Sequence, residues 1–132
     1  RNRLFELFET HPHLAYDITW LAAREEQMLD EHLLSIGRRS AMERAAYLLS
    51  FLYERGAAVE LFNRKARIAP LTQQHVADTL GLSLVHTNKT LKKLGDRGAI
   101  SWLDSGFEIR DNEKLREIAN WTGLPEFARP FI

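Results

Sequence analysis

The 132 residues contain no cysteine. That excludes disulfides and cysteine-ligated metal within the chain, and it suits a reducing cytoplasm. No apolar run approaches the ~20 residues that span a bilayer, and no signal-peptide pattern is present, so no membrane segment is expected. No segment is repeated or low in complexity. A glycine-rich phosphate loop, a nucleophile elbow and a convergent carboxylate pair are all missing, so the chain does not read as an enzyme. Net charge is absent too, since 18 Lys+Arg balance 18 Asp+Glu. Neutrality counts weakly against nucleic-acid binding, because such domains are often basic. There is no initiator Met: the sequence starts at Arg1, which reads as a piece of a longer protein.

Charge is present but segregated. Residues 1–60 carry seven basic against ten acidic side chains, and residues 61–132 carry eleven against eight. Within 83–98 four cations (Lys89, Lys92, Lys93, Arg97) face a single carboxylate, Asp96. Screening limits the reach of distant acids to about 10 Å, so a local basic face suffices for phosphate contact.

That basic face belongs to the most informative stretch, residues 70–94. Thr72 follows Pro70 as a helix N-cap, and Val76 and Leu80 lie one turn apart on one face. Ala77 is small enough for a crossing helix to approach closely. Gly81 supplies the positive φ of a sharp reversal. Leu82 plugs the space between two helices, and Ser83 caps the second. Leu84, Thr87, Leu91 and Leu94 are expected on its inward face, with Asn88, Lys89, Lys92 and Lys93 elsewhere. Helix, glycine turn and basic second helix are the layout of a helix-turn-helix, whose second helix enters the DNA major groove.

The flanks are legible as well. Leu4, Phe5 and Phe8 give a short helical pattern that His11-Pro12 breaks. Nothing interrupts a helix from Leu14 to Ile36, a length of about 35 Å. Its apolar positions Leu14, Ile18, Leu21, Ala22, Met28, Leu29, Leu33 and Ile36 approach a heptad stripe, broken by Glu25 and His32. Such a stripe either packs on its own domain or forms a parallel dimer helix. Gly37 is expected to end it, leaving Gly37-Arg38-Arg39 as a hinge or as an ordinary helix turn. Ser40 and Glu43 then make a capping box. The next helix turns Ala41, Ala45, Leu48, Leu49 and Leu52 inward and is expected to stop near Arg55 at Gly56. Residues 57–69 allow either a helical extension through Val59, Leu61 and Phe62 or a short strand at Ala66-Arg67-Ile68. Ala99–Trp102 and Phe107–Ile109, around Asp104-Ser105-Gly106, read as a hairpin. Asp111 caps a last helix carrying Leu115, Ile118, Ala119 and Trp121, and the tail from Thr122 is irregular.

These residues carry a family resemblance from about Leu14 to Trp121. Pro70-Leu71-Thr72-Gln73-Gln74, Ala77-Asp78-Thr79-Leu80-Gly81-Leu82 and Val85-His86-Thr87-Asn88-Lys89-Thr90-Leu91 resemble the winged-helix domain of the Crp/Fnr family of bacterial transcription regulators. Ser35-Ile36-Gly37-Arg38-Arg39-Ser40-Ala41-Met42-Glu43-Arg44-Ala45-Ala46 resembles that family's junction between dimer helix and DNA-binding domain. The chain departs from the pattern at Thr87 and Thr90, where many members are aliphatic. It departs again at Leu84 and Val85, where the best-known members carry Arg and Glu, and this bears on which DNA site is read.

The resemblance implies a mainly α fold with a small β-hairpin. A dimerisation helix and the end of an effector region would occupy 1–36, and a winged helix 37–132. It implies a homodimer, through Ile18, Leu21, Ala22, Met28, Leu29, Leu33 and Ile36, on a palindromic operator in double-stranded DNA. RNA polymerase is a further partner it suggests. No cofactor is expected in this stretch; a cyclic nucleotide or other small effector would belong to a domain outside it. Candidate DNA contacts are Thr72, Gln73, Ser83, Val85, His86, Asn88, Lys89, Lys92 and Ser105. Lys89 suits guanine O6/N7, and Asn88 a base or a phosphate. Val85 and Leu84 either touch thymine methyls or pack on the domain. Ser83 at a helix N-terminus suits a phosphate. His11 and His13 stand two apart across Pro12, and no His pair has helical ligand spacing, so no metal site is expected. The alternative function is a winged helix used for protein interaction.

Overall fold

In a computed structural model, residues 2–59, 61, 68–103 and 106–124 are described. Among them two compact units separate, residues 2–34 and residues 35–124. The first holds α1 (Asn2–Thr10) and most of α2 (Pro12–Arg38). His11 separates the two helices, and Pro12 opens α2 as its first residue, where its missing N–H costs nothing. Contrary to expectation, α2 does not stop at Gly37; it runs one residue further. A Cβ added at Gly37 would meet nothing within 4 Å, so no tertiary contact depends on its being glycine. Its poor propensity costs about 1 kcal/mol, too little to end a helix whose hydrogen bonds still close. No described helix is long and apolar enough to cross a membrane.

The second unit is built on α3 (Ala41–Ala58). Its capping box is complete: Ser40 Oγ accepts from Glu43 N, and Glu43 Oε2 accepts from Ser40 N at 2.6 Å. The bond from the Ser40 backbone, and then that with its hydroxyl, hold the Glu43 carboxyl below its usual range. The cap is therefore at full strength above the ordinary carboxylate range and is lost as pH falls through the lowered value. Gly56 was expected to stop this helix, but it is buried inside it, and Val59 forms the C-cap. Of the residues expected inward, Ala45, Leu48 and Leu49 are buried and Leu52 packs against the core. Tyr47 and Ser50 join them in the interior.

After α3 come β1 (Ile68–Ala69), α4 (Gln73–Leu80), α5 (Leu84–Asp96), β2 (Ile100–Leu103), β3 (Gly106–Ile109) and α6 (Asn112–Ala119). Of the two readings of 57–69, β1 settles residues 68–69 as strand, while 62–67 lie outside the described residues. The sheet is antiparallel with order β1-β3-β2, so the hairpin gains a third, non-local strand. Trp102 pairs with Phe107 and Leu103 with Gly106 across the hairpin, while Ala69 pairs with Phe107 from the other side. Phe107, Leu49, Leu94, Ile109 and Leu115 are the large, fully buried side chains where sheet and helices meet.

Two further ties set the helices in place. Arg39 Nε donates to Ala119 O at 2.8 Å, and its guanidinium lies 4.7 Å from the Tyr47 ring, so it caps the carbonyl end of α6. Glu54 accepts from Asn112 Nδ2 at 2.9 Å, Arg116 Nε at 2.6 Å and Leu124 N at 2.8 Å. This carboxylate binds α3, α6 and the following segment together.

Candidate nucleic-acid interface

The turn between α4 and α5 follows from its residues. Thr72 Oγ1 accepts from His75 N at 3.1 Å, and His75 Nδ1 accepts from Thr72 N at 3.3 Å. A histidine thus completes a capping box where Glu or Gln is the usual partner, which is why the motif is invisible as a sequence pattern. Gly81 takes φ 63° and ψ 35°, and Leu82 N reaches back to Ala77 O at 3.0 Å. Ala77 is buried, as a close helix crossing requires. Arg44 from α3 donates to Leu80 O at 2.5 Å and satisfies the end of α4. Ser83 then caps α5, accepting from His86 N at 3.3 Å. Its hydroxyl hydrogen remains available to an acceptor beyond the helix end.

On α5 the buried residues are Thr87, Thr90, Leu91 and Leu94. Helical periodicity puts Val85, Lys89, Lys92 and Asp96, spaced four, three and four apart, along the opposite line. All four are exposed. Asn88 lies on the flank beside Leu91, and His86 and Lys93 lie on the other flank. Leu84 was expected inward with Thr87 and Leu91, but it is 42% exposed. It lies at the edge of the buried arc, and Thr90 is inward instead. Val85 is more exposed still, at 66%. Two apolar side chains therefore stand in the open at the leading end of a helix that is otherwise basic outside. Thr72 is exposed and Gln73 half-buried at the start of α4. The hairpin expected after α5 is present, but Asp104 and the candidate Ser105 lie outside the described residues.

The two unusual threonines differ. Thr90 Oγ1 donates to His86 O at 2.9 Å within the helix. Thr87 is wholly buried, and its Oγ1 has no hydrogen-bond partner among the described residues. An unsatisfied buried hydroxyl is costly, whereas an apolar group of the same shape is not. Thr87→Val should therefore stabilise the domain by about 1 kcal/mol. Urea unfolding measures it, and a lowered midpoint would show that the hydroxyl is satisfied in solution.

Along α2 the stripe is exposed at Ile18, Leu21, Ala22, Leu29, Leu33 and Ile36, and half-buried at Met28. Leu29, Leu33 and Ile36 each expose more than three-fifths of their surface.

A capped helix, a left-handed glycine turn, an outward-facing basic helix and a following β-hairpin together define a winged helix-turn-helix. The model of the Crp-like helix-turn-helix domain matches residues 43–118, and the chain belongs to that family, the DNA-binding domain type of Crp/Fnr regulators. The nitrogen fixation regulation protein FixK of Bradyrhizobium diazoefficiens is 32% identical over 111 residues, covering 84% of this chain and 46% of FixK. The FixK of Azorhizobium caulinodans is 32% identical over 119 residues, covering 89% of this chain and 48% of that protein. The chain thus spans about half the length of the curated relatives it matches. The solved structure of FixK2 from Bradyrhizobium japonicum superposes with a TM-score of 0.67 over 89% of this chain and 58% of that one, at 23% identity. That likeness concerns the fold.

Proposed function

We propose that this chain is the dimerisation and DNA-reading part of a Crp/Fnr-type transcription regulator, acting as a homodimer on a two-fold palindrome in the bacterial cytoplasm. The division would fall at residues 36 and 37, dimer helix before and winged helix after. The observation that carries the reading is the outward line of α5, Val85-Lys89-Lys92, behind a capped N-terminus and opposite a fully buried face. In this role the leading end of α5 enters the major groove. Val85 and Leu84 meet thymine methyls, Lys89 reads guanine O6/N7, and Asn88 meets a base or phosphate. Ser83, His86, Lys92, Thr72 and Gln73 hold the backbone. Ser105 at the wing turn would touch the flanking strand. The rest of the regulator's length would house an effector domain for a cyclic nucleotide or another small molecule, and RNA polymerase would be the protein partner. The exposed apolar pair Leu84 and Val85 is what favours the rival reading, protein interaction.

Lys89 and Lys93 test the assignment, because bulk charge cannot tell them apart. Lys89 lies on the outward line near the second turn; Lys93 lies on the flank a turn further from the leading end. A base contact gives about 1–3 kcal/mol of discrimination, whereas a phosphate contact weakens all sequences about equally. Selection of bound sequences should show that Lys89→Ala loses preference at one base pair in each half-site. Lys93→Ala should lose affinity uniformly. A Lys89→Ala protein that keeps the wild-type preference removes Lys89 from the reading set. Salt-insensitive binding to a protein, without binding to any duplex, would establish the rival.

A further inference from the structure

A B-DNA major groove is about 12 Å wide, and a helix with its side chains measures about 10–12 Å. A helix lying in it therefore has a sugar–phosphate strand along each flank. On α5 the flank that carries Asn88 and Leu91 opens onto a groove of about 400 Å³, closed on its far side by β2 and the residue after β3. Lys92 stands on the rim shared by this groove and the outward line of α5. Its polar lining residues are Gln73, Asn88, Lys92, Ser101 and Arg110, with Asp96 the acidic one. Two cations and three neutral donors, against Asp96 in the lining and Glu108 beside Arg110, leave N–H and O–H donors in excess for an anionic oxygen.

Arg110 is held for that task. Its Nη2 donates to Ser101 Oγ at 3.2 Å on the neighbouring strand, and its Nε lies 3.6 Å from Glu108 Oε2. Ser101 and Glu108 are themselves cross-strand partners, so the guanidinium is guyed across the sheet. Yet the Arg110 side chain remains 59% exposed, with donors left for a further acceptor.

We infer that this groove seats one sugar–phosphate strand of the duplex read by α5, with Arg110 and Lys92 as phosphate contacts from its two walls. The inference rests on the DNA-reading role proposed above. It adds Arg110 and Ser101 to the interface, residues that lie beyond both the recognition helix and the wing turn. The lining follows α5 from Asn88 to Asp96, about two turns, which suits a continuous strand better than a free anion.

The test uses the full-length protein, with fluorescence anisotropy across a salt series on a selected-site duplex and a scrambled duplex. Arg110→Ala should weaken both duplexes by the same factor. It should also reduce the slope of log K against log salt by about 0.9, one phosphate's worth. Arg110→Lys should restore the slope, and an unchanged circular dichroism melt excludes loss of fold. Lys92→Gln, exposed and on the opposite wall, repeats the measurement independently. Wild-type slope and affinity in both Arg110→Ala and Lys92→Gln would overturn the groove assignment, as would losses confined to the selected site. Competition by inorganic phosphate without any slope change would make it a free-anion site instead, and would overturn it too. If the wild type binds no duplex at all, the role of α5 fails and the groove assignment falls with it.

Discussion

Gly106→Ala should cost the winged domain at least about 3 kcal/mol and strip the wing from the body. Gly106 opens β3 with φ 139°, a conformation that side chains rarely adopt. A Cβ there would stand 2.1 Å from Ala69 O and 3.0 Å from Ala69 C. Both obstacles are backbone, so neither can swing aside as a flexible side chain would. The only escape is for β1 to separate from β3, which breaks the pairing of Ala69 with Phe107 over a fully buried aromatic ring. Gly98→Ala is the matched control. Gly98 also has positive φ, at 72°, but an added Cβ meets nothing within 4 Å. It should cost only about 1 kcal/mol. Urea unfolding of the two variants separates steric approach from backbone preference. Equal losses would mean that the contact with Ala69 contributes nothing.

Gly106 was legible in the sequence only as a turn residue, and the reason generalises. The features read correctly are local. Ser40 with Glu43, Thr72, Ser83 and Asp111 are caps that depend on three or four neighbours, and Gly81 is a reversal fixed by its own φ. What could not be read depends on partners far along the chain. The strand β1 could be read only as one of two alternatives for 57–69: it has two residues, too few for any alternation, and pairs with β3 from far along the chain. Gly37 and Gly56 look like stops, yet both helices pass through them. Leu84 matches the inward period of α5, but a period cannot say how wide the buried arc is. For the candidate site, the outward line of Lys89 and Lys92 was visible because burial of Leu91 and Leu94 on one face fixes the opposite one. Arg110 was not visible, since its contact with Ser101 depends on the pairing of β2 with β3.

Leu29→Glu combined with Leu33→Glu should convert the proposed homodimer to monomer and lower affinity for a full palindrome by about 10²–10⁴, while leaving half-site affinity nearly unchanged. Leu29 is 63% exposed, Leu33 66% and Ile36 64%, and Ile18 and Leu21 continue the stripe toward the N-terminal end of α2. The four-three spacing Ile18, Ala22, Glu25, Leu29, His32, Ile36 is that of a coiled-coil seam, with Leu21, Met28 and Leu33 at its margins. Glu25 and His32 weaken such a seam and fix its register, so two further charges at its most apolar stretch should be decisive. A second copy of α2 would supply the matching stripe, and two-fold symmetry would then present two copies of α5 to successive major grooves. Sedimentation velocity over a concentration series reads the first half of the prediction, and anisotropy on full-site and half-site duplexes reads the second. A double variant that still dimerises would move the interface off this stripe. A monomer that keeps full-site affinity would show that two linked reading helices are not what holds the operator.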